Sequence, residues 1–90
     1  MEFEWDTEKA ASNIRKHDVT FPIATRVFLD PFVLEFDADD FGDEMRYNVV
    51  GMVEGRLVHV AFTMRGDIYR IISARAAVPH ERRQYHEIQT

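Results

Sequence analysis

The sequence predicts an α+β domain: two N-terminal helices packed on a four-stranded, mainly antiparallel sheet, with a short strand before them and a helix after it. Three observations lead there. Apolar residues recur at helical spacing through residues 7–28 and then switch to a period of two from Phe32 to Ala76. Glu54-Gly55 and Arg65-Gly66-Asp67 punctuate that second stretch as turns, dividing it into strands that meander. Ninety residues, 46% hydrophobic and 30% charged, suit one sheet-and-helix core, and no linker, repeat or low-complexity run divides residues 1–90.

Phe3-Glu4-Trp5 reads as a short opening strand, its two aromatics on one face. Asp6 or Thr7 caps a helix over Thr7–Lys16, whose narrow apolar stripe is Ala10, Ala11 and Ile14, with Lys9, Ser12, Arg15 and Lys16 as the wetter positions. His17-Asp18 ends it, Asp18 being tolerable in a left-handed turn. Thr20 caps the second helix, with Pro22 in its first turn, and Asp30-Pro31 stops it because a residue before proline avoids helical geometry. Phe21, Ala24, Val27 and Phe28 are its buried stripe, and the short link between the helices predicts a hairpin on one sheet face.

Val33–Asp37 is then a strand, Asp37 to Glu44 an acidic turn or loop, and Met45–Val53 pairs across Glu54-Gly55 with Arg56–Met64. In that returning strand Val58, Val60, Phe62 and Met64 face one way, and Leu57, His59, Ala61 and Thr63 the other. Ile68–Ala76 is the last strand, and Pro79 opens the terminal helix.

The chain has no cysteine, which excludes disulfides, thiolate catalysis and Cys-based zinc sites. No apolar run reaches the ~20 residues that span a bilayer, so no membrane association and a cytoplasmic location are expected. The net charge of −5 argues against indifferent nucleic-acid binding, yet it averages two unlike halves. Residues 1–45 carry 4 Lys/Arg against 12 Asp/Glu, whereas residues 46–90 carry 7 arginines, no lysine and 4 acids. Five of those arginines and two histidines fall between Arg65 and Glu87. Such a cluster suits a phosphate or an acidic partner, because arginine donates in a planar fork and stays charged. Decoration of an exposed strand face explains the same composition.

The acidic loop lacks the ligand order of a calcium site, the four histidines show no zinc spacing, and neither a glycine-rich phosphate loop nor a Gly-x-Ser-x-Gly elbow is present. No metal and no cofactor is expected. Arg70 and Arg75 have opposite strand parity, so they share a sheet face only if a bulge or strand end intervenes; otherwise one serves the active surface and the other pairs with an acid such as Glu81. On the terminal helix Glu81 lies with Tyr85, and Arg82 with His86, each four apart. Packing on the sheet also accounts for Tyr85.

FEWD at the start, IRKHDVTF at the end of the first helix, EMRYNVVGM in the sheet and RIISARAAVPHERRQY at the close together resemble the BrnT toxins. The resemblance spans nearly the whole chain. It implies a RelE-like ribonuclease fold, RNA cleavage without a metal, and neutralisation by a BrnA antitoxin that supplies the DNA-binding fold when the complex binds its own promoter. By the same resemblance Lys16, His17, Arg65, Arg70, Arg75 and Glu81 are the expected catalytic residues, Ser73 and Ala74 lie in the matching strand, and Arg46, Arg82 and Tyr85 are expected to contact RNA. The chain departs from the family pattern at Asp18 (usually glycine), at Pro22-Ile23 (usually acidic) and at Met45 (usually glutamate).

Metal-free cleavage uses the 2′-hydroxyl as nucleophile, so the protein must take its proton, offset charge on the phosphorane-like transition state and protonate the leaving 5′-oxygen. Arginines suit the second task, and His17, with a reference pKa of roughly 6.5, suits proton transfer. Lys16 is a base if a neighbouring cation lowers its pKa, with Glu81 as substitute. Two other readings stay open: a non-catalytic module whose basic face docks an acidic partner, and an inactive toxin copy serving promoter regulation with its antitoxin.

Overall fold

The computed structural model describes residues 1–88. Five strands, β1 (Glu2–Glu4), β2 (Leu34–Asp40), β3 (Met45–Val53), β4 (Arg56–Arg65) and β5 (Ile68–Ala76), form one sheet in the order β1-β5-β4-β3-β2. The helices are α1 (Thr7–His17), α2 (Phe21–Thr25), which tightens into a 3-10 segment at Arg26–Leu29, and α3 (Pro79–Ile88). The α+β class stands as expected. The sheet does not: the opening strand is its fifth member, running parallel to β5 with Phe3 opposite Tyr69 and Glu4 opposite Arg70. Periodicity marks a strand and is silent about its neighbour, so a segment this short gives no sign of where it pairs.

Local signals set the helix ends. The Asp6 carboxylate accepts from the Glu8 and Lys9 backbone N–H groups at 2.8 and 3.1 Å, and Asp18 takes the left-handed conformation with φ 55°. The Thr20 hydroxyl accepts from Ile23 N–H at 3.3 Å. The second helix is not one element to Asp30. Its last turn narrows to 3-10 geometry, laying Val27 against Gly51 of β3, where a Cβ would come within 2.9 Å of the Val27 carbonyl oxygen. Only glycine permits that approach.

The stripe expected on α1 also differs. Ile14 is 45% exposed, while Asn13 is buried. The Asn13 amide donates to the Val19 and Ala74 carbonyls at 2.9 and 2.8 Å and accepts from Ala74 N–H at 3.1 Å. It supplies the pairing that β5 lacks beyond the end of β1. The acidic segment is likewise more extended than expected, since β2 continues to Asp40 through an irregularity between Phe36 and Asp39. Asn48 pins that irregularity by donating to the Asp37 carbonyl and the Asp39 carboxylate.

Helices α1 and α2 cover one face of the sheet, burying Phe21, Ala24 and Val27 against Val49, Val58, Val60, Ile71 and Ala74. Helix α3 covers one end of the other face, where Tyr85 and Ala77 pack on Val50 and Leu57. The remainder of that second face is left open. Among the described residues no helix is long and apolar enough to cross a membrane.

Candidate functional site

Strand pairing assigns the open face residue by residue. Ala61 pairs with Ser73, but Phe62 pairs with Ile71, so Ile72 is an extra residue in β5. Its insertion resets the alternation. Arg70, opposite Thr63, and Arg75, opposite His59, therefore point to the same side of the sheet. Arg65, at the end of β4, and Arg46, on β3, follow by two-residue alternation from Thr63 and Asn48. Strands β3, β4 and β5 thus present Arg46, Arg65, Arg70, Ser73 and Arg75 on one uncovered surface.

Arg75 is the most firmly held of these. Its guanidinium donates to both Glu81 carboxylate oxygens, at 2.9 and 3.1 Å. Glu81 lies in the first turn of α3 and accepts from Val78 N–H at 3.0 Å, half of the reciprocal arrangement that caps a helix start. One carboxylate therefore starts the helix and fixes the arginine fork. Glu81 is 5% exposed with both oxygens committed, so it positions Arg75 and is not open to substrate. Burial pushes the Glu81 pKa up, but the bonds from Arg75 and Val78 outweigh it and leave the carboxyl below its ordinary value.

His59, assigned no role from the sequence, sits beneath this pair with Nε2 3.9 Å from Glu81. Burial and then the Arg75 charge depress its pKa, against the opposing pull of Glu81 and Asp39, so the ring is neutral at pH 7. The strand alternation placed His59 on this face; what the sequence lacked was any sign that Glu81 would arrive beside it.

The other expected site residues divide. Arg70 bonds the Glu4 carboxylate, joining β5 to β1. Arg46 is 3.5 Å from Glu44, with its guanidinium 4.5 Å over the Phe41 ring. Arg65 is exposed and has no ion-pair partner among the described residues. Arg82 donates to the Ala77 carbonyl at 2.7 Å. Tyr85 is 3% exposed, and its hydroxyl donates to Asp30 at 2.5 Å, so it anchors α3 rather than offering its ring to a ligand. Lys16 and His17 are not in the arginine row. They belong to the helix layer on the opposite face and line a depression with Lys9, Ser12, Ile72 and Ser73 at the edge of β5. Ser73 is the residue the two regions share.

These titrations have one sign. A neutral buried histidine contributes fully above its unfolded pKa near 6.5, and that contribution is lost as pH falls toward the depressed folded value. Glu81 and Asp30, both held low against burial by hydrogen bonds, add losses as pH falls further through their folded values. Thermal melting is expected to drop between pH 7 and pH 5 and again below pH 4, and His59→Gln is expected to flatten the first step. A midpoint that stays level or rises down to pH 5 contradicts this assignment.

A family model described as the ribonuclease toxin BrnT of type II toxin–antitoxin systems matches residues 5–81, from just before α1 to the Glu81 carboxylate that holds Arg75. No curated protein matches the chain.

Proposed function

Because this chain belongs to the BrnT family of ribonuclease toxins of type II toxin–antitoxin systems, we propose that it is an endoribonuclease whose open arginine face grips the scissile phosphodiester. The supporting observation is the Ile72 bulge, which puts Arg70 and Arg75 on one side of the sheet with Arg65 and Ser73. Arg75, fixed by Glu81, donates to the non-bridging oxygens as charge develops there; a donor held in advance costs no reorganisation at the moment of reaction. Arg65 and Arg70 hold the flanking phosphates, and Arg46 and Arg82 the strand beyond. The scissile phosphate lies at the β5 edge, where Ser73 borders both regions, between Arg75 and the depression lined by Lys16 and His17, one of which takes the 2′-hydroxyl proton while the other protonates the 5′-oxygen.

In this reading the guanidiniums, which stay charged and donate in a fixed fork, supply the charge stabilisation. The biological consequence is arrested translation and growth, relieved by a BrnA-type antitoxin; promoter DNA is bound only through the complex. The whole of residues 1–90 acts as one RelE-like domain.

Purified protein incubated with a structured RNA in EDTA is expected to give fragments ending in 2′,3′-cyclic phosphate and 5′-hydroxyl groups. RNA left intact at every protein concentration would replace this reading with that of a docking module or an inactive copy.

A further inference from the structure

We infer that the sheet face turned away from the arginines carries a second binding surface, an apolar groove that takes a basic-rimmed, amphipathic segment of the antitoxin. Helices α1 and α2 cover only part of that face. Beside the 3-10 segment, Phe28, Val33, Tyr47, Phe62, Met64 and Tyr69 line a groove of about 340 Å3. Its rings form a connected set: Phe28 to Phe62 at 5.3 Å, Phe28 to Tyr69 at 5.2 Å and Tyr47 to Phe62 at 5.5 Å. The volume is near the lower end of the ~300–1,000 Å3 of small-molecule sites. The apolar surface does not stop there, however, because Met45 (39% exposed) lines an adjoining depression that shares Tyr47 and Met64 with the groove, and Leu29 (78%) and Phe32 (53%) are exposed next to Phe28 and Val33 in the chain. An apolar area that continues past a groove onto its surroundings is the mark of a protein interface.

Charge selects the occupant. Glu35 lines the groove itself, and Asp43 and Glu44 line the adjoining depression, which shares Tyr47 and Met64 with it; Arg65 lines that depression too, and Arg46 pairs with Glu44. RNA is disfavoured in the groove itself, where Glu35 is the charged lining residue. A second copy of this chain, meeting the same patch in a two-fold interface, would bring the acids against each other. A segment with aliphatic or aromatic side chains along one stripe and Lys or Arg beside it satisfies both features. The family description supplies a protein partner of this toxin, its antitoxin. The antitoxin therefore anchors behind the arginine face.

This inference rests on the toxin–antitoxin reading, and the experiment separates the two. Antitoxin purified after co-expression with the toxin is titrated against the wild type, Tyr47→Asp, Leu29→Asp and Arg75→Ala, with RNA cleavage measured on the same free-toxin preparations. Tyr47→Asp is expected to weaken binding by roughly 30-fold or more, as loss of an interface anchor does. Leu29→Asp, at a position too exposed to unfold the chain, is expected to weaken it several-fold. Both should cleave RNA like the wild type, and Arg75→Ala should bind at wild-type strength. Full affinity in Tyr47→Asp and Leu29→Asp with loss in Arg75→Ala overturns the inference, as does a free-toxin dimer that Tyr47→Asp dissolves while antitoxin binding persists. Groove-dependent binding by a wild type that cleaves no RNA would overturn the ribonuclease proposal and leave this inference standing.

Discussion

Arg75→Ala is expected to lower RNA cleavage by roughly 100-fold or more, the usual loss when one fixed donor to a transition-state oxyanion is removed, and to release growth inhibition. The variant should still fold. Removing the guanidinium leaves the Glu81 carboxylate without the two bonds from its charged partner, at a cost of about 1–3 kcal/mol for a buried group so stranded. Small domains hold about 5–15 kcal/mol in total. Arg75→Lys separates geometry from charge: it keeps the cation but loses the two-pronged bond to Glu81, and is expected to recover little of the activity. Glu81→Gln should fall between the two, since it retains the Val78 cap while loosening the fork. Cleavage rates with circular dichroism on the same samples check all three. Wild-type cleavage in folded Arg75→Ala would remove this residue from the site.

The largest effect on stability is expected at Asn13. Asn13→Leu deletes three hydrogen bonds at once and strands the Ala74 N–H and C=O and the Val19 C=O in a buried setting. Each stranded group costs about 1–3 kcal/mol. Even the low end of that range, summed, lowers the melting midpoint by about 12 °C for a domain of this size. The edge of β5 that carries Ser73 and Arg75 is held by this side chain, so the variant should also lose RNA cleavage at temperatures below its midpoint. A melting shift under ~3 °C would show that β5 does not depend on the amide.

Much of the scaffold was legible because it rests on local rules. Asp6 and Thr20 cap, Asp18 turns left, Glu54-Gly55 closes a hairpin with positive φ at both positions, and Val58, Val60 and Phe62 share the face they were given. What could not be read involves partners distant in sequence. Nothing in RIISAR marks Ile72 as inserted, yet that insertion decides whether Arg70 and Arg75 work together. Asn13 looks like any polar helix residue until a strand edge is set beside it. Three residues of β1 carry no hint that they will lie parallel to β5.

The site divides along the same line. Arg65, Arg70 and Arg75 were singled out by residue type, and the pairing of Arg75 with Glu81 was one of the alternatives their spacing left. Tyr85 went to the core because its ring meets Val50 and Leu57 while its hydroxyl meets Asp30. Lys16 and His17 sit at a helix C-terminus, and no sequence pattern says which side of the sheet a helix covers. Among the described residues, they meet the arginine face at Ser73.

The account stands on the arginine face being the surface that holds RNA. Backbone-amide NMR shifts recorded while a short RNA with 2′-O-methyl riboses, which binds without being cut, is added to the protein test this directly. The account predicts perturbations concentrated at Thr63, Arg65, Arg70, Ser73 and Arg75, fading as salt is raised. Perturbations confined to the opposite face, around Phe28, Val33 and Tyr47, with that row unmoved, would contradict it.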